Sequence, residues 1–289
     1  MQTPTARTYR VLGVPLRTGS LYPGSENDAQ AYRDAGLVAR LGAAGCPATD
    51  EGDLAVPSYL PHHTIPPIRS WPGPRIVWDL VAERIGPWLA EPGQVPLLIG
   101  CDCSIVVGTA QALRRAGAEA IQVLYVDGDF DDAGPDPSRC QSAAAMAVWL
   151  LTRESPFWPG PRPRPSQVTV IGWSNPPRSP GAGVGSLSLA DVRSAGARPA
   201  ARAVLDAVPA AASILVHVDI DVMRVADMPA AYFPHTEGLG LSEAAELLGV
   251  LLRDPRVRII EVSEYAALRD RDRRAAGQLV DLLVGTLAG

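Results

Sequence analysis

Six short apolar runs punctuate this chain and constrain its fold more than any other feature. RVLGVPL (10–16), VPLLIG (95–100), IQVLYVD (121–127), QVTVIGW (167–173), SILVHVDID (213–221) and RIIEVSEY (258–265) are dominated by Val, Ile and Leu. A strand with one wet face alternates polar and apolar residues, whereas continuous apolar runs mark strands covered on both faces, as in a parallel sheet between crossover helices. Helical patterns alternate with these runs. They are NDAQAYRDAGLVARLGAAG (27–45), with Asp28 suited to a first turn, SIVVGTAQALRRAG (104–117), closed by glycine, LSEAAELLGVLLRD (241–254), entered at Ser242, and RDRRAAGQLVDLLVGTLAG (271–289). A loop carrying Gly19, Pro23 and Gly24 separates the first run from the first helix. No repeat period is visible, and the Pro-rich SPFWPGPRPRPS (155–166) lies between two strands of one pattern, so it reads as a surface loop within one domain over 1–289. The expected class is α/β with a mainly parallel sheet.

Polar residues gather at the C-terminal ends of these runs. Cys101, Asp102 and Cys103 follow LLIG; Asp127, Asp129 and Asp131 follow VLYV; His217, Asp219 and Asp221 end ILVHVDID; Glu261 sits in RIIEVSEY. Alternation along extended backbone aims Asp127, Asp129 and Asp131 to one side, and likewise His217, Asp219 and Asp221. Carboxylates so close repel one another unless a cation or protons neutralise them. In open parallel sheets the ligand crevice lies outside the carboxyl ends of the strands, which is where these groups converge.

Composition removes several function classes. With 47% hydrophobic and 20% charged residues among 289, the chain reads as a soluble globular protein. A net charge of -5 argues against a nucleic-acid partner, which needs a basic face. Every Lys-or-Arg position is Arg, so a Schiff-base lysine and a phosphate-loop lysine are excluded. Four cysteines are too few for a disulfide scaffold, and Cys101, Cys103 and Cys140 lie in acidic or polar surroundings that suit ligands or reactive thiols. MQTPTARTYR lacks the apolar core of a secretory signal and no run is long enough to span a bilayer, so the expected location is cytoplasmic, with no membrane partner.

Taken in order, GCDCS (100–104), VDGDFD (126–131), HVDIDV (217–222) and EVSEY (261–265) resemble the ureohydrolase family of arginases and agmatinases, whose patterns run GGDHS, DAHxD, SxDxD and a late EV. GVP…G (13–19), DAGL (34–37) and DEGDL (50–54) match the family's opening, and the core motifs are closer to a branch with GGDCS, DGHxDF and HxDxDV. The resemblance implies a three-layer α/β/α sandwich. It also implies one or two manganese ions that activate a shared hydroxide, a small-molecule substrate with a guanidino-like group, and a homo-oligomer. Carried over position by position, it puts one metal on Cys103, Asp127, Asp131 and Asp219 and a second on Asp127, Asp129, Asp219 and Asp221, with Asp127 and Asp219 bridging. Glu261 takes the place of the glutamate that meets the guanidinium.

Departures from the pattern qualify the expected chemistry. The histidine of DAHxD is Asp129, so five Asp and a Cys103 thiolate oppose two divalent ions, an excess of negative charge that makes bound water less acidic. Mostly oxygen donors favour manganese, magnesium or calcium over zinc. The family's proton-shuttling histidine falls where Cys140 or Gln141 stands, IGWSNPPR (171–178) lacks the acids that hold the α-amino group of arginine and offers Asn175 instead, and MRVADMP (223–229) replaces the usual Asp-Pro. Asp129, Glu261, Cys140 and His217 are therefore the catalytic candidates, with His217 expected to hydrogen-bond a ligand carboxylate from behind. Cys101 reads as a buried filler, His62, His63 and His235 as surface residues, and Asp132 and Asp136 as a solvated loop. The expected function is metal-dependent hydrolysis of a guanidino or related C–N centre other than that of free arginine. The alternative is an arginase-fold binding or partner protein without activity, or one whose thiols carry different chemistry.

Overall fold

The computed structural model describes residues 7–17, 27–160, 162–175 and 183–289. The loop residues Gly19, Pro23 and Gly24 and the end of IGWSNPPR (176–178) lie outside the described residues.

The apolar runs form strands, as their composition predicts. They are β1 (Thr8–Gly13), β3 (Gln94–Cys101), β4 (Ile121–Val126), β5 (Val168–Ile171), β7 (Ser213–Asp219) and β8 (Val257–Ser263). Two further strands, β2 (Ala48–Asp53) and β6 (Gly185–Leu187), were not among the expected elements. Both sit at sheet edges: the order is β2-β1-β3-β8-β7-β4-β5-β6, and every pairing is parallel. Their invisibility has a physical cause. ATDEGD carries acids because an edge strand faces water and discourages further pairing.

Helices cover both faces. On one side lie α1 (Asp28–Asp34), α2 (Leu37–Ala43), α6 (Leu189–Ala195), α7 (Ala197–Ala207), α8 (Leu241–Leu251) and α9 (Arg274–Ala288); on the other lie α3 (Gly73–Ala90), α4 (Ile105–Arg115) and α5 (Ala147–Thr152). Alternate strand residues feed the two cores. Leu97 and Ile99 pack with Leu41 and Leu283 on the first face, while Leu98 packs with Trp78 and Val106 on the second. The expected helix over 27–45 is interrupted at Gly36, whose φ of 80° no helix accommodates. α3, α5, α6 and α7 are additions to the expected set; α3 begins after Pro72 in a Pro-rich stretch and carries Pro87, which hid its periodicity. Among the described residues, no helix is long and apolar enough to cross a membrane.

The sheet order positions the site. β3, β8, β7 and β4 are adjacent central strands, although 155 residues (102–256) lie between the end of β3 and the start of β8, so sequence-distant acids emerge side by side.

Candidate metal centre

Three of the four central strands end in a turn organised by a carboxylate at or just beyond the strand end. β4 stops at Val126, and the Asp127 Oδ1 accepts from the Asp129 backbone N–H at 2.6 Å. β7 stops at Asp219, whose Oδ1 accepts from the Asp221 N–H at 2.7 Å, and Asp221 Oδ1 in turn accepts from the Gly128 N–H at 3.0 Å. Such Asx turns terminate strands by offering the backbone a local acceptor. After β3, Asp102 Oδ1 accepts from Ser104 N at 3.0 Å and Ser104 Oγ at 2.6 Å, fixing the turn that presents Cys103. The Cys103 thiol donates to Asp219 Oδ2 at 2.8 Å and lies 3.9 Å from Asp127 Oδ2 and 3.3 Å from Ser263 Oγ.

Ligand atoms converge as a result. Those of Asp127, Asp219 and Asp221 all lie within 4.8 Å of one another, as do those of Cys103, Asp219 and Glu264, of Cys103, Asp127 and His217, and of Asp129, Asp221 and His235. Burial pushes Asp127 well above the ordinary carboxylate range, and repulsion from Asp131, Asp221 and Asp219 adds to it. Asp219 is raised by burial and then by Asp221 and Glu264; Glu264 is raised by burial and then by Asp102, Asp221 and Asp131. Burial, reinforced by Asp219 and Glu264, likewise drives the Cys103 thiol upward. Burial and mutual repulsion both disfavour ionisation of these groups, and a cation or protons would relieve them.

The structure brings most of the sequence-predicted residues to this rim, but not by strand alternation. Because β4 and β7 end before the second acid of each motif, Asp129 and Asp221 are placed by turns. Asp131 adopts φ 47° and its Oδ2 accepts from the Tyr125 hydroxyl at 2.6 Å, so this carboxylate is engaged by a phenol and joins none of the four groups. Asp129 is partly exposed and its Oδ1 accepts from Asn175 Nδ2 at 2.7 Å. His217 does sit behind the cluster, stacked 4.4 Å from the Tyr125 ring, but its Nδ1 pairs with Glu261 Oε2 at 2.7 Å, and Nε2 meets Ser263 Oγ at 3.1 Å. Glu261 is thus fully buried against His217 rather than open to a substrate. Cys140 is half-buried in a loop whose next residue, Gln141, bonds to the Pro67 backbone, and it joins none of these groups. Cys101 is the expected filler, its thiol 3.7 Å from the Val262 carbonyl.

Two further residues are placed differently from expectation, and a third, Glu264, was not anticipated. Asp132 is buried rather than solvated. His235, expected at the surface, is mostly buried, with Nε2 3.3 Å from Asp221 Oδ2 and 3.4 Å from Asp129 Oδ2. Those two acids raise its imidazole to about 10. Glu264 went unnoticed beside Glu261, yet it is the glutamate that faces Cys103 and Asp219. Its φ of 61° turns it inward, and no periodicity signals a left-handed non-glycine residue.

The donor set fits a hard divalent ion. Asp127 and Asp219 are satisfied on one oxygen by backbone N–H groups, and the buried Glu264 Oε1 has no hydrogen-bond partner. Cys103, Asp127, Asp219, Asp221 and Glu264 supply mostly oxygen donors, which suits manganese or magnesium.

An all-parallel sheet between two helical layers, with acids collected at the carboxyl ends of its central strands, defines an α/β protein whose polar groups gather at that edge. The sequence profile of the arginase family matches residues 7–288. The arginase of Agrobacterium fabrum is 25% identical over 291 residues, covering 96% of this chain and 89% of that protein. The crystal structure of arginase from Bacillus subtilis superposes with a TM-score of 0.83 at 19% identity, covering 97% of this chain and 98% of the other. Formiminoglutamase from Trypanosoma cruzi, solved with Mn2+, gives a TM-score of 0.74 at 18% identity over 99% of this chain and 94% of the other. The chain belongs to the arginase family, and the expected ureohydrolase fold is the observed one.

Proposed function

We propose that this protein is a metal-dependent hydrolase of a C–N bond in a guanidino-like or formimino-like group carried by a small molecule other than free arginine. The observation that carries the reading is the buried convergence of Asp127, Asp219 and Asp221 within 4.8 Å, beside Cys103 and Glu264. These residues would hold a divalent ion, manganese by the chemistry of the donors, and the chemistry it would supply when bound is a water of lowered pKa that is nucleophilic near neutral pH.

The chain's own groups do the rest. Asp127 and Asp219 are held on Oδ1 by their turn N–H groups, and their Oδ2 atoms both face the Cys103 thiol, at 3.9 and 2.8 Å. The buried His217–Glu261 pair, with Ser263, forms a rigid polar floor under Cys103 and Asp219. A planar cationic group is attracted to the carboxylate rim, where paired oxygens suit its N–H donors. Asn175 commits its amide to Asp129, which leaves IGWSN without an acidic partner for an α-amino group and disfavours arginine. The relatives are named for two substrates, arginine and formiminoglutamate, so the fold serves more than one C–N centre.

The test is to load purified protein with Mn2+, dialyse, and measure retained metal together with urea or ammonia release across a panel of guanidino and formimino compounds. Metal retention that is lost in Asp219→Ala, with turnover of at least one compound, is expected. Retention of no divalent ion by the parent, or turnover unchanged in Asp219→Ala, would overturn the reading.

A further inference from the structure

We propose that His235 supplies an imidazole ligand at the Asp129–Asp221 end of the metal centre, replacing from a different loop the nitrogen donor that position 129 lacks. This rests on the metal-centre reading above and names one of its ligands.

Three independent features place the ring. The loop is pinned by its backbone: Val225 N–H donates to the His235 carbonyl at 2.7 Å, within a parallel bridge of Arg224 to His235, so the ring is held close to the turn that follows β7. The ring also lies directly on Gly128, where an added Cβ would stand 2.7 Å from His235 Cδ2 and 2.8 Å from the Asp221 carbonyl oxygen; only a residue without a side chain leaves that space. Finally, Asn175 holds Asp129 Oδ1 at 2.7 Å, and the other oxygen, Oδ2, is the one 3.4 Å from His235 Nε2.

The chemistry of the nitrogen is consistent with a ligand. Nε2 is buried and makes no hydrogen bond of good geometry, although it points between two carboxylates at 3.3 and 3.4 Å. Asp221 belongs both to this group and to the Asp127–Asp219–Asp221 group, so the two ligand sets are contiguous. A neutral imidazole adds a donor without adding to a surplus of negative charge, and a manganese site accepts it among oxygens. The competing role is a protonated counter-ion that spans Asp129 and Asp221 and is displaced when metal arrives.

Pulsed electron paramagnetic resonance of the Mn2+-loaded protein separates the two roles, because a coordinated imidazole imposes nitrogen hyperfine coupling on the metal. The parent is expected to show the coupling. His235→Ala and the size-matched His235→Gln are expected to lose it and to retain Mn2+ at least roughly tenfold more weakly. The double variant carrying Asp129→His and His235→Ala is expected to regain it. Mn2+ bound by the parent with coupling and affinity unchanged in both single variants would overturn the His235 assignment while leaving the metal centre standing. Failure of the parent to retain Mn2+ would overturn both.

Discussion

His217 and Glu261 are register partners on β7 and β8, with Nδ1 and Oε2 2.7 Å apart and neither side chain exposed. A pair buried this deeply is more important when broken than when present, since removing one member strands the other without solvent. His217→Leu is expected to cost about 3–5 kcal/mol in urea denaturation, and adding Glu261→Leu to recover much of it. Equal losses in single and double variants would mean that packing, not polarity, sets the cost. His217 and Asp219 were legible as residues on one face of a strand because β7 runs through both; Asp221 was not placed that way, because the strand ends before it. Glu264 was hidden by Glu261, which the EV motif singles out. Replacing it tests its place at the centre: Glu264→Gln removes a charge that repels Asp102, Asp221 and Asp131. Metal-free protein is expected to melt higher in scanning fluorimetry, and Mn2+ affinity to fall roughly 10–100-fold. A variant with unchanged affinity would remove Glu264 from the ligand set.

At the scale of elements, what was legible follows burial. Strands covered on both faces announce themselves as apolar runs, whereas β2 is a charged edge strand tied down by Arg10–Glu51 and by Arg33 on Asp50 and Asp53. Polar pairing of that kind leaves no periodic trace. The join between α8 and β8 is another such feature. Asp254 Oδ1 accepts from the Arg256 backbone at 2.9 Å and Nε at 2.8 Å, Oδ2 accepts from Nη2 at 2.8 Å, and Arg256 reaches the Val208 carbonyl at 2.7 Å, at the end of α7. Partial burial pushes the Asp254 carboxyl up, but the Arg256 hydrogen bonds and charge outweigh it and hold the group below its ordinary value. A carboxylate lowered on folding contributes stability above its unfolded pKa and loses it as pH falls through the folded one. Asp254→Asn is therefore expected to lower Tm at pH 7, with the difference closing as pH falls below the ordinary carboxylate range and the parent carboxylate protonates. A difference that persists undiminished in acid would show that the amide fails for steric reasons instead.

For the whole molecule, the parallel class and the convergence of acids at one rim were readable because continuous strands demand helices on both faces and because polar groups recur at strand ends. Strand order was not, since nothing local in RIIEVS shows that β8 inserts between β3 and β7. That insertion brings Glu264 beside Cys103 and Asp219, so the centre belongs to the assembled sheet and not to any one motif. A site that exists only in the folded chain couples metal binding to stability. Metal that binds the native state alone stabilises it by about 2.7 kcal/mol at a free concentration a hundred times Kd, which corresponds to a rise of roughly 4–5 °C for a chain of this size. Mn2+ is expected to raise Tm by that order in the parent, chelator to reverse the rise, and Asp219→Ala to abolish it. An equal rise in the Asp219→Ala protein would place the bound ion on surface carboxylates, because Asp219 contributes to two of the four ligand groups and its loss dismantles the core of the centre.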